Sequence, residues 1–242
     1  MPTTRTDQVA VDGGAFDLHV WLPESGTGPG VLLIQEIFGV SAYIRAVGER
    51  LAALGYVVGA PDVFWRIQPN WESDHTPEGL EASLGMMPRF DFPQGVADCV
   101  GALHALGDLP EVHGGVGVVG FCLGGTMAYL AAARTDADAA VGYYGTRIHW
   151  FTDDAKSIDK PLILHFGELD HTTPPELLQG QILPAIKGNP NVQAFVYPGM
   201  VHAFANHRRP DTYSEEVTKV ADTRTFAHFR QWLAPQPRRA AV

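Results

Sequence analysis

At 242 residues the chain is long enough for one large α/β domain with a sizeable core. Its formal net charge of −10 argues against a protein that holds nucleic acid through the phosphate backbone, and two cysteines, Cys99 and Cys122, make no disulfide framework. The first residues, MPTTRTDQVAVDGG, contain no apolar core of a leader, and no apolar run approaches the roughly 18 residues of a membrane span. A cytoplasmic protein working on small molecules, without a membrane or nucleic-acid partner, is the expectation.

Val9–Val11 and Phe16–Leu22 read as a hairpin turning through Asp12-Gly13-Gly14. Val31–Ile34 is a continuous apolar run, the signature of a buried parallel strand. Ser41–Leu54 carries apolar residues at helical spacing (Ile44, Val47, Leu51, Leu54) and stops at Gly55. Tyr56–Ala60 is a strand closed by Pro61-Asp62. Residues 63–90 are irregular, long for a connection, and hold Trp65 and Trp71; they are expected to cover a site. Phe92–Leu106 is a helix, Val116–Phe121 a strand, Leu123–Ala133 an alanine-rich helix and Ala139–Tyr144 a strand, followed by an irregular stretch to Asp159. Pro161–Phe166 and Val192–Tyr197 are strands with a helix over Pro174–Ile186 between them. Glu215–Leu233 is a final helix with Val217, Val220, Phe226, Phe229 and Leu233 as its apolar face, and the tail PQPRRAAV is expected to fray. Six parallel-type strands separated by helices imply a mostly parallel, doubly wound α/β sheet covered on both faces, in one domain over residues 1–242. Ligands in such sheets gather at the carboxyl ends of the strands.

Chemistry concentrates at that end. Gly120-Phe121-Cys122-Leu123-Gly124 places a cysteine in a strand-to-helix turn of the G-x-S-x-G type, where the helix N-terminus favours a thiolate. LHFGELD delivers Asp170 after a later strand, and VYPGMVHAFAN delivers His202 after the last one. The order nucleophile, acid, histidine is that of the α/β hydrolases, with His202 holding the thiol and Asp170 fixing the imidazole tautomer. Asp170 could instead cap a helix before Pro174, and His202 could stabilise a turn. His171 is a second, weaker candidate for the base, and His165 within its strand reads as packed. Glu36, at the end of VLLIQEIFG, could meet the thiol or bind backbone N–H groups of the next turn. The N–H groups of Leu123 and Ile37 are the candidate oxyanion hole.

Two patterns point elsewhere and fail on context. Residues 115–120 match G-x-G-x-x-G, but they form a strand rather than following one, so no dinucleotide cofactor is expected. The histidines fall in no zinc-type spacing, so no metal is expected. Cys99 reads as a packed thiol, Tyr143 as core, and His75 with Trp71 as residues that line or cover a pocket.

On QEIFG (35–39), APDVF (60–64), GFCLGG (120–125), YYG (143–145), GELD (167–170) and HAF (202–204), the chain resembles the dienelactone hydrolase family, the carboxymethylenebutenolidases of the α/β-hydrolase superfamily. The resemblance implies an α/β-hydrolase fold, Cys122 as nucleophile, Asp170 as acid, His202 as base, and Glu36 as the group that takes the thiol proton when substrate binds. It places Tyr144 near the site; Trp65, Trp71, Phe38, Asn206 and Phe204 are further candidates for substrate contact. One departure stands out. Family members that open dienelactones are similar in carrying two arginines for the substrate carboxylate, one after the third core strand and one just after HAFA. Here Asn206 follows HAFA, and residues 67–88 contain no arginine; Arg66, Arg89, Arg208 and Arg209 are the displaced possibilities. The expectation is therefore a lactone or ester hydrolase whose substrate is not the carboxylated dienelactone. A true dienelactone hydrolase using displaced arginines, an amidase or peptidase, and a non-catalytic scaffold are the alternatives; a monomer and a homodimer are equally compatible.

Overall fold

Apolar side chains along a fully covered strand must find partners on both faces. In the run Val31–Ile34, Leu32 and Ile34 pack into one core cluster and Val31 and Leu33 into another on the opposite face. That alternation is the plan of the whole molecule. The computed structural model describes residues 3–234, so the PQPRRAAV tail lies outside the described residues.

The strands β1 (Thr3–Val11), β2 (Gly14–Leu22), β3 (Gly28–Ile34), β4 (Val57–Pro61), β5 (Val112–Phe121), β6 (Ala139–Tyr143), β7 (Leu162–Gly167) and β8 (Val192–Tyr197) form one eight-stranded sheet in the order β1-β2-β4-β3-β5-β6-β7-β8. The β1–β2 hairpin is antiparallel, and β2 joins β4 antiparallel. From β4 through β8 every neighbour is parallel. This is an α/β fold. The helices α1 (Ala42–Ala53) and α7 (Glu215–Trp232) cover one face through Val47, Leu51, Ala221 and Phe229. The helices α3 (Phe92–Gly107) and α4 (Leu123–Arg134) cover the other through Leu103, Leu106 and Leu130. Among the described residues no helix is long and apolar enough to cross a membrane.

The structure corrects four local expectations. Within the irregular stretch 63–90 lies a helix, α2 (Pro77–Met86), begun by Thr76, whose hydroxyl accepts the Gly79 N–H at 3.1 Å, with Pro77 at the first helical position. The stretch before Asp159 contains a kinked 3-10 segment, Ile148–Ser157. The expected helix over Pro174–Ile186 is three short pieces: α5 (Pro175–Leu177), a π turn (Leu178–Ile182) and α6 (Leu183–Ile186). Pro184 has no N–H to give the preceding turn, so regular bonding cannot run through it. On α7, Val220 faces solvent, and the buried stripe is Thr218, Ala221, Asp222, Thr225, His228 and Phe229. Polar residues turn inward there because Asp222 and Thr225 meet buried hydroxyl and imidazole groups of the sheet.

Candidate active site

The carboxyl ends of β3, β5, β6, β7 and β8 surround one cavity of about 430 Å³, walled by Glu36, Cys122, Thr172 and His202 among others. Cys122 sits between β5 and α4 with φ 57° and ψ −113°. A non-glycine residue with positive φ persists only where its surroundings enforce it. Here they do. A β-carbon on Gly120 would run into the Gly124 carbonyl, and one on Gly124 into the Ile34 and Gln35 carbonyls. The two glycines let strand, turn and helix close to backbone contact, and the turn holds the thiol at the cavity wall, 8% exposed. Leu123 opens α4, so its N–H has no acceptor within the helix. Ile37 walls the same cavity. Tyr144 (φ 40°) and Ala203 (φ 63°) are also left-handed, so strained backbone gathers at this end of the sheet.

Asp170, three residues beyond β7, is buried, and its Oδ2 accepts the His202 Nδ1–H at 2.8 Å. A carboxylate has no proton to give, so Nδ1 carries it and Nε2 is the nitrogen left for the thiol. Thr172 donates its N–H (2.8 Å) and hydroxyl (2.7 Å) to Asp170 Oδ1 and lies 3.2 Å from His202 Nδ1. Burial acts to raise the Asp170 carboxyl, but these bonds and the His202 charge outweigh it and hold it below the usual range. Burial likewise acts to lower His202; the neighbouring Cys122 and Asp170 win, and the imidazole is raised to about 10. Cys99, in contrast, lies in apolar surroundings on α3, and burial pushes its thiol up to about 12. His171 stands on the cavity wall but makes no hydrogen bond to Asp170 or Cys122; the histidine held by Asp170 is His202.

Glu36 is 2% exposed yet borders the cavity. Its Oε2 accepts the Asn206 amide N–H at 3.1 Å, and His75 Nε2 lies 3.4 Å away. Its segment is clamped by the next one: Trp71 Nε1–H donates to the Ile37 carbonyl (3.2 Å), and the Ser73 N–H to the Phe38 carbonyl (3.1 Å).

Of the residues expected to contact substrate, only Phe38 walls the cavity. Tyr144 and Phe204 are fully buried behind it, where the Tyr144 ring meets His202 edge-on at 5.1 Å. Asn206 reaches Glu36 rather than the open space, and Trp71 supports the Ile37 peptide from outside. Trp65 is elsewhere: its indole N–H donates to Asp98 at 2.9 Å and its ring packs on Phe16, near the β1–β2 end of the molecule. Aromatic character did not distinguish a pocket wall from a core residue, because both bury the same surface.

The arginines divide sharply. Arg66 pairs with Asp98 (2.8 Å), Arg89 donates to the Ile67 carbonyl (3.4 Å), and Arg208 lines a separate outer groove. Arg209 does wall the cavity, paired with Asp211 at 3.0 Å. A second guanidinium there was not foreseen: Arg147, over the Trp150 ring at 5.1 Å. The sequence held a signal for it, since YYG ends a strand at the same edge and Arg147 follows two residues later. Phe38, Leu80 and Leu84 of α2, Met87 and Trp150 form the apolar part of the wall, with Thr146 and His149 beside them.

With this geometry in place, comparison with known proteins is decisive for kinship. The family model for the dienelactone hydrolase family matches residues 16–233. The chain belongs to the dienelactone hydrolase family. It is 37% identical over 225 residues to a carboxymethylenebutenolidase of a Pseudomonas species, covering 91% of this chain and 93% of that one. It is 36% identical over 216 residues to carboxymethylenebutenolidase 1 of Cupriavidus pinatubonensis, covering 88% and 91%. Among solved structures, a Klebsiella pneumoniae protein provisionally assigned as a dienelactone hydrolase superposes with TM-score 0.81 at 26% identity, covering 96% of this chain and all of that one. The dienelactone hydrolase of Anabaena variabilis shares the fold, with TM-score 0.68 at 22% identity over 96% of this chain and 99% of that one. The α/β-hydrolase architecture and membership in this hydrolase family therefore stand.

Proposed function

We propose that the protein is a cysteine-dependent hydrolase of lactones or carboxylic esters that works through a thioester on Cys122. One observation carries the reading: a thiol on a strained elbow shares a cavity with an imidazole whose far nitrogen is held by a buried carboxylate. In this mechanism the Glu36 carboxylate takes the Cys122 proton as substrate settles. The thiolate attacks the carbonyl carbon, and the N–H groups of Leu123 and Ile37 receive the oxyanion. The His202 imidazolium gives its Nε2 proton to the departing alkoxide. Neutral His202 then takes a proton from water, the hydroxide opens the thioester, and the thiolate recovers its proton from Glu36. Tyr144, Phe204 and Asn206 act behind the wall by holding His202 and Glu36. The reading calls on no cofactor, nucleic acid or membrane, is compatible with a monomer or a homodimer, and places the protein in the cytoplasm.

The apolar wall of Phe38, Leu80, Leu84, Met87 and Trp150 favours a neutral, largely apolar lactone or ester over the carboxylated dienelactone. Arg147 and Arg209 on the same wall favour a second reading, in which the substrate carries a carboxylate, as the name carboxymethylenebutenolidase implies for the relatives. A turnover screen of neutral aryl esters and lactones against the carboxylated dienelactone separates them. The expected result is faster turnover of neutral compounds, lost in C122A, with an acyl mass adduct on Cys122 in the wild type. Turnover that survives C122A ends the cysteine reading. Preference for the carboxylated compound that disappears in R147A or R209A establishes the second reading.

A further inference from the structure

Glu36, Asn206 and His75 form a closed triangle of polar atoms beside the cavity. Asn206 Nδ2 is 3.1 Å from Glu36 Oε2 and 3.1 Å from His75 Nε2, and His75 Nε2 is 3.4 Å from Glu36 Oε2. The amide orientation follows from its other end, because Asn206 Oδ1 accepts the Arg208 N–H at 2.9 Å. Both N–H groups of Nδ2 therefore point into the triangle. Neutral His75, with its proton on Nδ1, accepts one of them at Nε2. A proton arriving on Nε2 removes that acceptor and leaves an N–H whose available partner is Glu36 Oε2. The triangle thus has two bonding arrangements that differ by one proton.

Among the described residues His75 is also the only cationic or ionisable basic side chain within ion-pair distance of Glu36. Glu36 and Asn206 are buried, whereas the His75 side chain is 15% exposed. Its ring is held on Phe38 at 4.2 Å between centroids and borders an outer groove with Ser73, Asp74 and Arg208. The imidazole therefore stands between a buried carboxylate and solvent.

We propose that His75 is a positioning residue that sets, by its own charge, how readily Glu36 takes the Cys122 proton. The inference rests on the role of Glu36 given above. The step is a single transfer: the S–H bond breaks, an O–H bond forms on Glu36, and a thiolate and a neutral carboxyl result. With His75 protonated, its charge stabilises the Glu36 carboxylate and disfavours the transfer. With His75 neutral, only the Asn206 amide competes, and the transfer is favoured. The charged groups facing His75 are Glu36 from the segment after β3, Asp74 and Glu72 from its own segment, and Arg208 and Asp211 from the segment after β8. None of the latter four reaches Glu36 within ion-pair distance, so the direct control runs through the imidazole.

The test is the rate of Cys122 alkylation by iodoacetamide as a function of pH, in the wild type and in His75→Gln. The wild-type rate should rise with pH in a step that depends on the His75 imidazole. In His75→Gln that step should vanish, and below it the variant should react about tenfold faster than the wild type, because the charge opposing the transfer is gone. A merely structural role would scale the rate by one factor at every pH and leave the step in place, which would overturn the inference. His75→Phe, which keeps a ring on Phe38, replaces the glutamine variant if that one does not fold, and must give the same loss. Ester turnover is measured in parallel. A step lost in the variants of a protein without esterase activity upholds the inference and sinks the functional reading. Cysteine-dependent turnover with an unchanged step does the reverse.

Discussion

Two buried histidines of the same sheet end up with opposite protons. His202, after β8, is raised to about 10, while His165, within β7, is lowered to about 3. Burial acts on both in the same direction, against charge. The partners differ. His202 has the Asp170 carboxylate at 2.8 Å and Cys122 beside it. His165 has two hydroxyls, Tyr197 at 2.9 Å and Thr225 at 3.1 Å, with Arg224 and His228 adding repulsion. Hydroxyls can satisfy a neutral imidazole but offer no charge to hold an imidazolium. Position along the strand decides which partners are available. His165 lies inside the sheet and faces α7. His202 lies beyond the strand, where loops can bring a carboxylate and a thiol together.

The comparison is broken most severely at Asp170. Asp170→Asn should lower ester turnover by roughly 10²- to 10⁴-fold, because the amide no longer fixes the Nδ1–H tautomer. NMR titration should show the His202 imidazole losing its proton at lower pH than in the wild type. Unchanged turnover would mean that the Asp170–His202 bond has no part in the chemistry.

His165 should speak in stability rather than rate. Its folded pKa lies below the ordinary 6.5, so as pH falls through 6.5 the unfolded chain gains a proton that the native one refuses. Stability contributed by this site is therefore complete above about pH 6.5 and declines toward pH 3, by up to about 1.4 kcal/mol per pH unit. Replacing it, as in His165→Leu, leaves the Tyr197 and Thr225 hydroxyls without that partner and should destabilise by about 1–3 kcal/mol. Urea unfolding at pH 7 and pH 5 measures both effects; the variant should lose less between the two pH values than the wild type. Turnover per folded molecule should be unaffected.

Thr172→Val sharpens the comparison at its smallest scale. It removes one hydroxyl from Asp170 Oδ1 and leaves the backbone N–H at 2.8 Å in place. The Asp170 carboxyl should rise and turnover should fall by about tenfold or less, corresponding to one hydrogen bond to a charged group. A loss as large as that of Asp170→Asn would show that Thr172 orients His202 directly through its 3.2 Å contact.

Much of this could be read before any coordinates. The six parallel strands, the elbow at Cys122 and the order Cys122, Asp170, His202 follow from local patterns, namely apolar runs, glycines at fixed offsets and residues just beyond strand ends. The helix α2 escaped because its Thr76-Pro77 start is a short signal inside a segment otherwise rich in breakers. Trp65 was misplaced because a large aromatic residue near a strand end looks alike whether it faces a pocket or, as here, Asp98 and Phe16. Arg147 was missed although it follows YYG at a strand end, because that place carries no motif of its own, and Thr172 because nothing in its neighbours marks it; both matter only through what other strands bring alongside.

What the sequence determined by itself was the alternation of strand and helix, the sharp turn that Gly120 and Gly124 permit, and the end of the sheet at which chemistry gathers. These depend on backbone sterics and on periods of two and 3.6 residues, which are local. Only the tertiary structure decided which charges meet. Residues 36, 75 and 206 are distant along the chain, and so are 170 and 202, yet each set shares hydrogen bonds. Whether a buried imidazole is held charged or neutral depends on those partners, because electrostatic interaction in a dry interior is governed by distance through space and not by separation along the chain.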